Sequence, residues 1–306
     1  MTYRLPFHPI PSLVIAGALC LIVSGMALSQ GGKLSSLPVR YEELTAPEFV
    51  TAAARSGGIC IVPIGILEKH GPHLPLGTDL INVREMVLRA AAKEYCVVYP
   101  PYYCGQIFEA RHQPGTIAYS TDLMWKLLQE TCDEMARNGF GKIVLANGHG
   151  GNNSFLPFFC QAQLSSRKGY SVVLFAPSQD PAVAKRVKEL RKTTGGGHAD
   201  EEETSMMLAH RPELVHMERA KEQSGADLDR LSSLPFAYTG IWWYARYPNH
   251  YAGDGSEASR ELGDLLLNSE SDQLAALVKA LKSDKTLEEL QNRFYGGAEK
   301  PLQTGQ

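Results

Sequence analysis

Ile59-Cys60-Ile61-Val62-Pro63-Ile64-Gly65-Ile66 leads, past one leucine, into Glu68-Lys69-His70-Gly71-Pro72-His73-Leu74-Pro75-Leu76-Gly77-Thr78-Asp79. The first part has the length and β-branched content of a buried strand. The second packs two carboxylates, two imidazoles, two prolines and two glycines into a dozen residues. Proline stiffens such a loop and glycine bends it, so its donors suit gripping a cation better than merely joining two elements. Ligands of α/β sheets gather at the carboxyl ends of strands, where this loop falls.

Outward from that passage, strand and helix patterns alternate. Residues 46–54 read as a short helix before the strand. Asp79 stands where a cap for a helix over 80–94 would be, with Val83, Met86, Val87, Ala90 and Ala91 as its apolar stripe. Val97-Val98-Tyr99 reads as a brief strand stopped by Pro100-Pro101. Ser120 or Thr121 opens a helix that Gly139 ends, and residues 142–146 form another buried strand. A helix, a strand over 171–176, a helix over 181–193 and a last helix from about 256 to 281 follow. This order predicts an α/β fold with a mainly parallel sheet covered on both faces. No linker divides the chain, so residues 30–306 read as a single domain.

Composition narrows the function. The chain has 306 residues, 44% hydrophobic and 21% charged, enough for a full core. A formal net charge of -3 gives no electrostatic reason to expect nucleic acid or an anionic membrane as partner. Residues 1–29 have the charged, apolar and small-residue order of a secretory signal, with the apolar run 13–23 too short to span a bilayer. The expectation is an exported protein, periplasmic or secreted, with no membrane attachment once the signal is removed. The cysteines after residue 29 are odd in number and lack CxxC spacing, which predicts buried free thiols rather than a disulfide framework or a thiolate zinc site.

Two more donor clusters lie downstream. Asn147-Gly148-His149-Gly150-Gly151-Asn152 follows the strand over 142–146, and His198-Ala199-Asp200-Glu201-Glu202-Glu203-Thr204-Ser205 follows a triple glycine. Glu68, His70, Asp79, His149 and Glu203 form a nitrogen and oxygen donor set that suits zinc or manganese. Five protein ligands with three carboxylates exceed what one catalytic zinc takes, which favours two divalent ions with Asp79 as the bridge. Most of the Glu201–203 run reads as a solvated helix start. His73 and His112 read as supporting or loop residues, and Trp242 and Trp243 as core, subunit contact or substrate wall.

Together the quoted clusters, with Pro114-Gly115-Thr116, resemble the creatininase family of creatinine amidohydrolases and their relatives over roughly residues 40–265. The resemblance implies a three-layer α/β/α domain, a dinuclear zinc or manganese centre, hydrolysis of a non-peptide C–N bond, and a homo-oligomer, often a hexamer. By motif position Glu68, His70, Asp79 and His149 look like the family's metal ligands and His198 like its proton-transferring histidine. Creatininase itself has a metal-binding glutamate where Gly151 stands; the resemblance to relatives with the Gly-Gly form implies a ligand from the later motif, which spacing assigns to Glu203, with Glu202 as the fallback. Asp200, Lys69 and Ala110 replace a usual glycine, glutamine and histidine. The expected substrate is a small cyclic or linear amide, attacked by an activated water while His198 passes a proton to the leaving nitrogen. The rivals are a dinuclear phosphoesterase, which would need Lys69 or Arg111 aimed at the metals, and a non-catalytic exported metal- or ligand-binding protein.

Overall fold

In the computed structural model, residues 37–178 and 180–303 are described, and they belong to one compact unit. The signal expected at 1–29 lies outside them. Strand β1 (Ile59–Ile64) is buried along its whole length and is followed by helix α2 (Thr78–Lys93), α1 (Ala46–Arg55) having preceded it. Then come β2 (Val97–Val98), α3 (Thr121–Arg137), β3 (Lys142–Asn147), α4 (Phe155–Ala162), β4 (Ser171–Leu174), α5 (Pro181–Leu190), α6 (Glu201–His210), α7 (Trp242–Arg246), α8 (Arg260–Ser283) and α9 (Thr286–Ala298).

The four strands are all parallel, in the order β2-β1-β3-β4. Successive side chains of a strand point to opposite faces, and β1 divides its residues accordingly. Ile59 and Ile61 pack with Val83, Met86, Val87 and Ala90 of α2 and with Leu267, Leu274 and Val278 of α8. Cys60, Val62 and Ile64 pack on the other face with Met124, Leu128, Cys132 and Met135 of α3 and Leu156 and Phe159 of α4. Both helical stripes repeat at three- and four-residue intervals, so each helix lays one face on the sheet. The result is the three-layer α/β/α architecture.

Strand order also fixes where a site can form. From β1 the chain moves outward to β2, then returns to place β3 on the other side of β1. Connections therefore leave the carboxyl ends of β1 and β3 in opposite directions and open a crevice between them. Two glycines let α2 close its floor. A Cβ on Gly65 would lie 2.3 Å from the Leu80 backbone, and one on Gly148 would lie 2.7 Å from Val83 and 2.9 Å from the Asp79 carbonyl. Only chains without side chains at these positions bring the first turn of α2 so close to both strand ends.

Several local expectations are corrected. Helix α2 begins at Thr78 after Gly77, so Asp79 lies inside the first turn and does not cap it; its carboxylate is engaged elsewhere. Helix α5 stops at Leu190, because the Lys192 and Thr193 amides donate to the Glu201 carboxylate instead of to helix carbonyls. β1 ends at Ile64 and β4 at Leu174, and Cys96 lies just before β2. The last expected helix starts only at Arg260, with Ser259 accepting from the Leu262 amide, and a further helix, α9, follows it. Cys60, Cys96, Cys104 and Cys132 are buried free thiols, while Cys160 is partly exposed. Among the described residues no helix is long and apolar enough to cross a membrane.

Candidate metal centre

The loop after β1 folds back on itself, its ends tied by the Glu68 amide donating to the Leu76 carbonyl at 2.9 Å. This turns the Glu68 and His70 side chains inward, beneath the first turn of α2 that carries Asp79. His149 leaves the end of β3, and Asp200 starts α6 by accepting from the Glu202 and Glu203 amides at 3.0 and 3.2 Å. That cap sets Glu203 in the first turn, facing the crevice. All five expected ligands and His198 meet there. Glu68, His70 and Asp79 are no more than 3% exposed, and His149 and His198 are each 6% exposed.

Hydrogen-bond partners identify one proton-bearing nitrogen on each ring, because a carbonyl only accepts and an indole N–H only donates. His70 Nδ1–H donates to the Glu68 carbonyl at 3.2 Å, which turns Nε2 to Asp79 Oδ1 at 2.8 Å and Glu203 Oε2 at 3.8 Å. His149 Nε2–H donates to the Gln106 carbonyl at 2.9 Å. Its Nδ1 then lies 2.8 Å from Glu68 Oε1 and 2.9 Å from Asp79 Oδ2. Those two carboxylate oxygens are buried and have no hydrogen-bond partner among the described residues. Two such carboxylate oxygens thus meet one ring nitrogen in a buried site, an arrangement that costs free energy unless positive charge joins it, as a proton on the ring or as a metal ion. Asp79 gives one oxygen to each of two donor groups, Glu68–Asp79–His149 and His70–Asp79–Glu203. The residues present fit divalent metal.

The field of the cluster agrees with this need for positive charge. Burial opposes a charge on His70, but Asp79 outweighs it and lifts the imidazole to about 10. Burial likewise opposes His149, and Glu68 and Asp79 carry it well above its usual value. Glu203 is pushed up to about 8, chiefly by burial, with Asp79 adding to it. For Glu68 burial acts upward, but His149 and His198 hold it well below the carboxylate range. His198 goes the other way: burial, helped by His70 and His250, keeps it neutral.

His198 stacks beside His70 with ring centroids 4.2 Å apart, and its Nε2–H donates to the Lys69 carbonyl at 2.8 Å. It lies on the Glu68 and His70 side of the cluster. A cavity of about 230 Å³ approaches from the other side, lined by Asp79, His149, Glu203, Asn82, Asn153 and Glu270.

The Glu201–203 run is not a solvated helix start. Glu201 is fully buried and holds the 192–193 backbone, and Glu202 pairs with Arg191 at 2.7 Å, so Glu203 alone of the three reaches the cluster. His73 is buried against Thr204 Oγ1 at 2.9 Å, and exposed His112 bonds the Pro248 carbonyl. Lys69 Nζ is committed to Gln223 and to the Asn249 carbonyl, each at 2.6 Å, and Arg111 is exposed. Neither basic side chain makes an ion pair with the carboxylates of the cluster. A Cβ at Gly151 would lie 2.4 Å from His149 Nε2 and 2.9 Å from Glu109 Oε1, so a larger residue there would disturb the His149 ring.

One residue of the cluster carried no recognisable signal. His250, 2% exposed and at φ 51°, donates Nε2–H to Glu68 Oε2 in a short hydrogen bond. Its proton is placed by Trp243, whose Nε1–H donates to His250 Nδ1 at 2.9 Å. Trp243 therefore supports the cluster rather than simply filling core.

Comparison with known proteins gives a consistent picture. The family model of creatininase, described as creatinine amidohydrolase, matches residues 42–278. A creatinine amidohydrolase of Pseudomonas putida is 27% identical over 243 residues, 74% of this chain and 90% of that protein. A 3-dehydro-scyllo-inosose hydrolase of Thermotoga maritima is 28% identical over 246 residues, 72% of this chain and 76% of that protein. A solved creatinine amidohydrolase superposes with TM-score 0.69 at 25% identity, covering 82% of this chain and 100% of that one. Other creatininase structures of the same fold are described as a Mn form and a Zn-Zn type.

Proposed function

This chain belongs to the creatininase family of hydrolases, and from that premise we propose that it is a dinuclear metal-dependent amidohydrolase acting on a C–N bond of a small cyclic or linear amide. The observation that carries this reading is the convergence of the buried Glu68 Oε1 and Asp79 Oδ2 on His149 Nδ1, at 2.8 and 2.9 Å, with Asp79 Oδ1 turned to His70 on the other side. Glu68, Asp79 and His149 would hold one ion; His70, Asp79 and Glu203 would hold the second. Bound zinc or manganese supplies Lewis acidity that polarises an amide carbonyl and lowers the pKa of water towards neutrality.

The chain's own residues do the rest. The Glu68 carbonyl and the Gln106 carbonyl each hold a ring N–H, which orients His70 and His149 with lone pairs inward. His198, kept neutral by burial and with Nε2–H tied to the Lys69 carbonyl, keeps Nδ1 free to take up a proton and return it to the departing nitrogen. The loop and helix packing over Glu68 and His70 exclude bulk water from that side. Assembly of like chains belongs to the same reading; the exposed Leu234, Phe236, Tyr238 and Ile241 before α7 support it. Export rests on residues 1–29 alone.

Metal-loaded protein assayed against small amides and lactams, with a phosphomonoester beside them, tests the proposal. The expected result is C–N hydrolysis that a chelator abolishes and zinc or manganese restores. Turnover of the phosphomonoester alone, or of nothing in a protein that does take up metal, would overturn it in favour of one of the two rivals. The phosphoesterase lacks support from Lys69, which is committed to Gln223 and the Asn249 carbonyl, and from Arg111, which is exposed and makes no ion pair with the cluster.

A further inference from the structure

The cavity that meets the cluster on its Asp79 and Glu203 side extends to α8, where Glu270 lines it. Glu270 also lines a second cavity of about 260 Å³, bounded by α5, Pro177, Ser178 and Glu202, so its side chain stands where the two meet. Among the described residues it has neither hydrogen bond nor ion pair. Its neighbour Glu202 is already paired with Arg191.

The remaining polar lining is donor-rich. Asn82 accepts from His210 Nε2 through its side-chain oxygen at 3.0 Å, and Asn153 accepts from Asn147 through its own at 3.1 Å. Each keeps an amide NH₂ without a bond to protein. The cavity therefore offers two neutral donors and, on α8, one carboxylate acceptor. Met86, Val83, Met206 and Leu267 supply the apolar walls between. A carboxylate in such surroundings gains more from a cation than one in open water does. Burial and the Glu202 carboxylate together push Glu270 above the usual range, which fits a group short of positive partners.

Resting on the amidohydrolase reading, we propose that Glu270 is the specificity-determining residue of this site, and that the substrate carries a protonated amine that pairs with it while the amide lies at the metal cluster. The Asn82 and Asn153 amides face the carbonyl or hydroxyl oxygens of the segment between.

Hydroxamates bind divalent metal whatever their tail, which separates the two claims. The metal-loaded protein is titrated by calorimetry with straight-chain alkyl hydroxamates and with ω-amino hydroxamates of matched, increasing length. The expected result is that at least one amino compound binds roughly tenfold or more tighter than its alkyl counterpart, the scale of one charge-assisted hydrogen bond. Glu270→Gln then removes that advantage and leaves alkyl hydroxamate affinity unchanged. An amino advantage absent at every length in the wild-type protein, or retained in Glu270→Gln, overturns the role of Glu270 and leaves the metal centre standing. Failure of every hydroxamate to bind, in a protein that also takes up no metal, overturns the metal centre and this inference with it.

Discussion

Residues 65–79 and residues 242–255 reach the same cluster with opposite chemistry. The first segment delivers candidate ligand atoms with lone pairs to give a metal: Glu68 and Asp79 oxygens, and His70 Nε2, whose ring is held at the other nitrogen by a backbone carbonyl. The second delivers hydrogens: Trp243 N–H to His250, and His250 N–H to Glu68 Oε2. One side of Glu68 is therefore left bare towards His149 while the other is clamped. The difference shows how a loop can keep an unpaired carboxylate oxygen buried. The strain of the bare side is tolerated because the clamped side fixes its direction, and the negative charge is left for a cation to neutralise.

If the segments differ in this way, removing a lone pair costs more than removing a hydrogen behind it. Asp79→Ala takes an oxygen from both donor groups and should abolish metal uptake and hydrolysis, a loss larger than the roughly 10–100-fold typical of outer partners. Metal content by mass spectrometry and amide turnover check it; wild-type values for either would erase the distinction. His250→Ala should fall within that roughly 10–100-fold range in metal affinity, read by competition with a chromophoric chelator. His250→Gln, which keeps an N–H donor, should recover part of the loss, and Trp243→Phe should cost less than His250→Ala because it frees the imidazole without deleting it. A Trp243→Phe loss as large as that of Asp79→Ala would break the ordering.

The smallest effect concerns stability beside the centre. His73 is 1% exposed, and burial, with His70 adding to it, lowers its pKa from 6.5 to about 4. The unfolded chain binds a proton there that the folded chain refuses, so the contribution is complete above pH 6.5 and is lost as pH falls towards 4. Relative to His73→Gln, the wild-type protein should lose up to about 3 kcal/mol over that interval. Urea titrations of both proteins at pH 7 and pH 4.5 measure it, and equal losses would contradict the assignment.

Much of this was legible in the chain, for reasons that the two segments again separate. Glu68, His70 and Asp79 follow a strand within a stiff Pro–Gly loop, so sequence proximity and spatial proximity coincide. His149 follows β3 in the same manner, and the parallel order of β1 and β3 makes both loops neighbours. Glu203 was assigned by its spacing to His198, and the cap at Asp200 realises that spacing. His250 had no such help: it is a lone histidine in irregular chain, 182 residues from Glu68, and only tertiary packing joins them. Asp79 as a helix cap failed because a better use of its carboxylate, across the crevice, outcompetes the local bond. The end of α5 was misplaced for a related reason, since Glu201 captures backbone amides from a distant helix start. Helix α9 was missed because Tyr295 is its sole buried residue, leaving little apolar period to read.

The most direct test of the centre is diffraction from crystals grown with zinc or manganese, collected on both sides of the metal absorption edge. Two anomalous peaks roughly 3.5–4 Å apart are predicted, with Asp79 between them, Glu68 and His149 on one, and His70 and Glu203 on the other. A single peak, or none within reach of Asp79, would contradict the two-ion account.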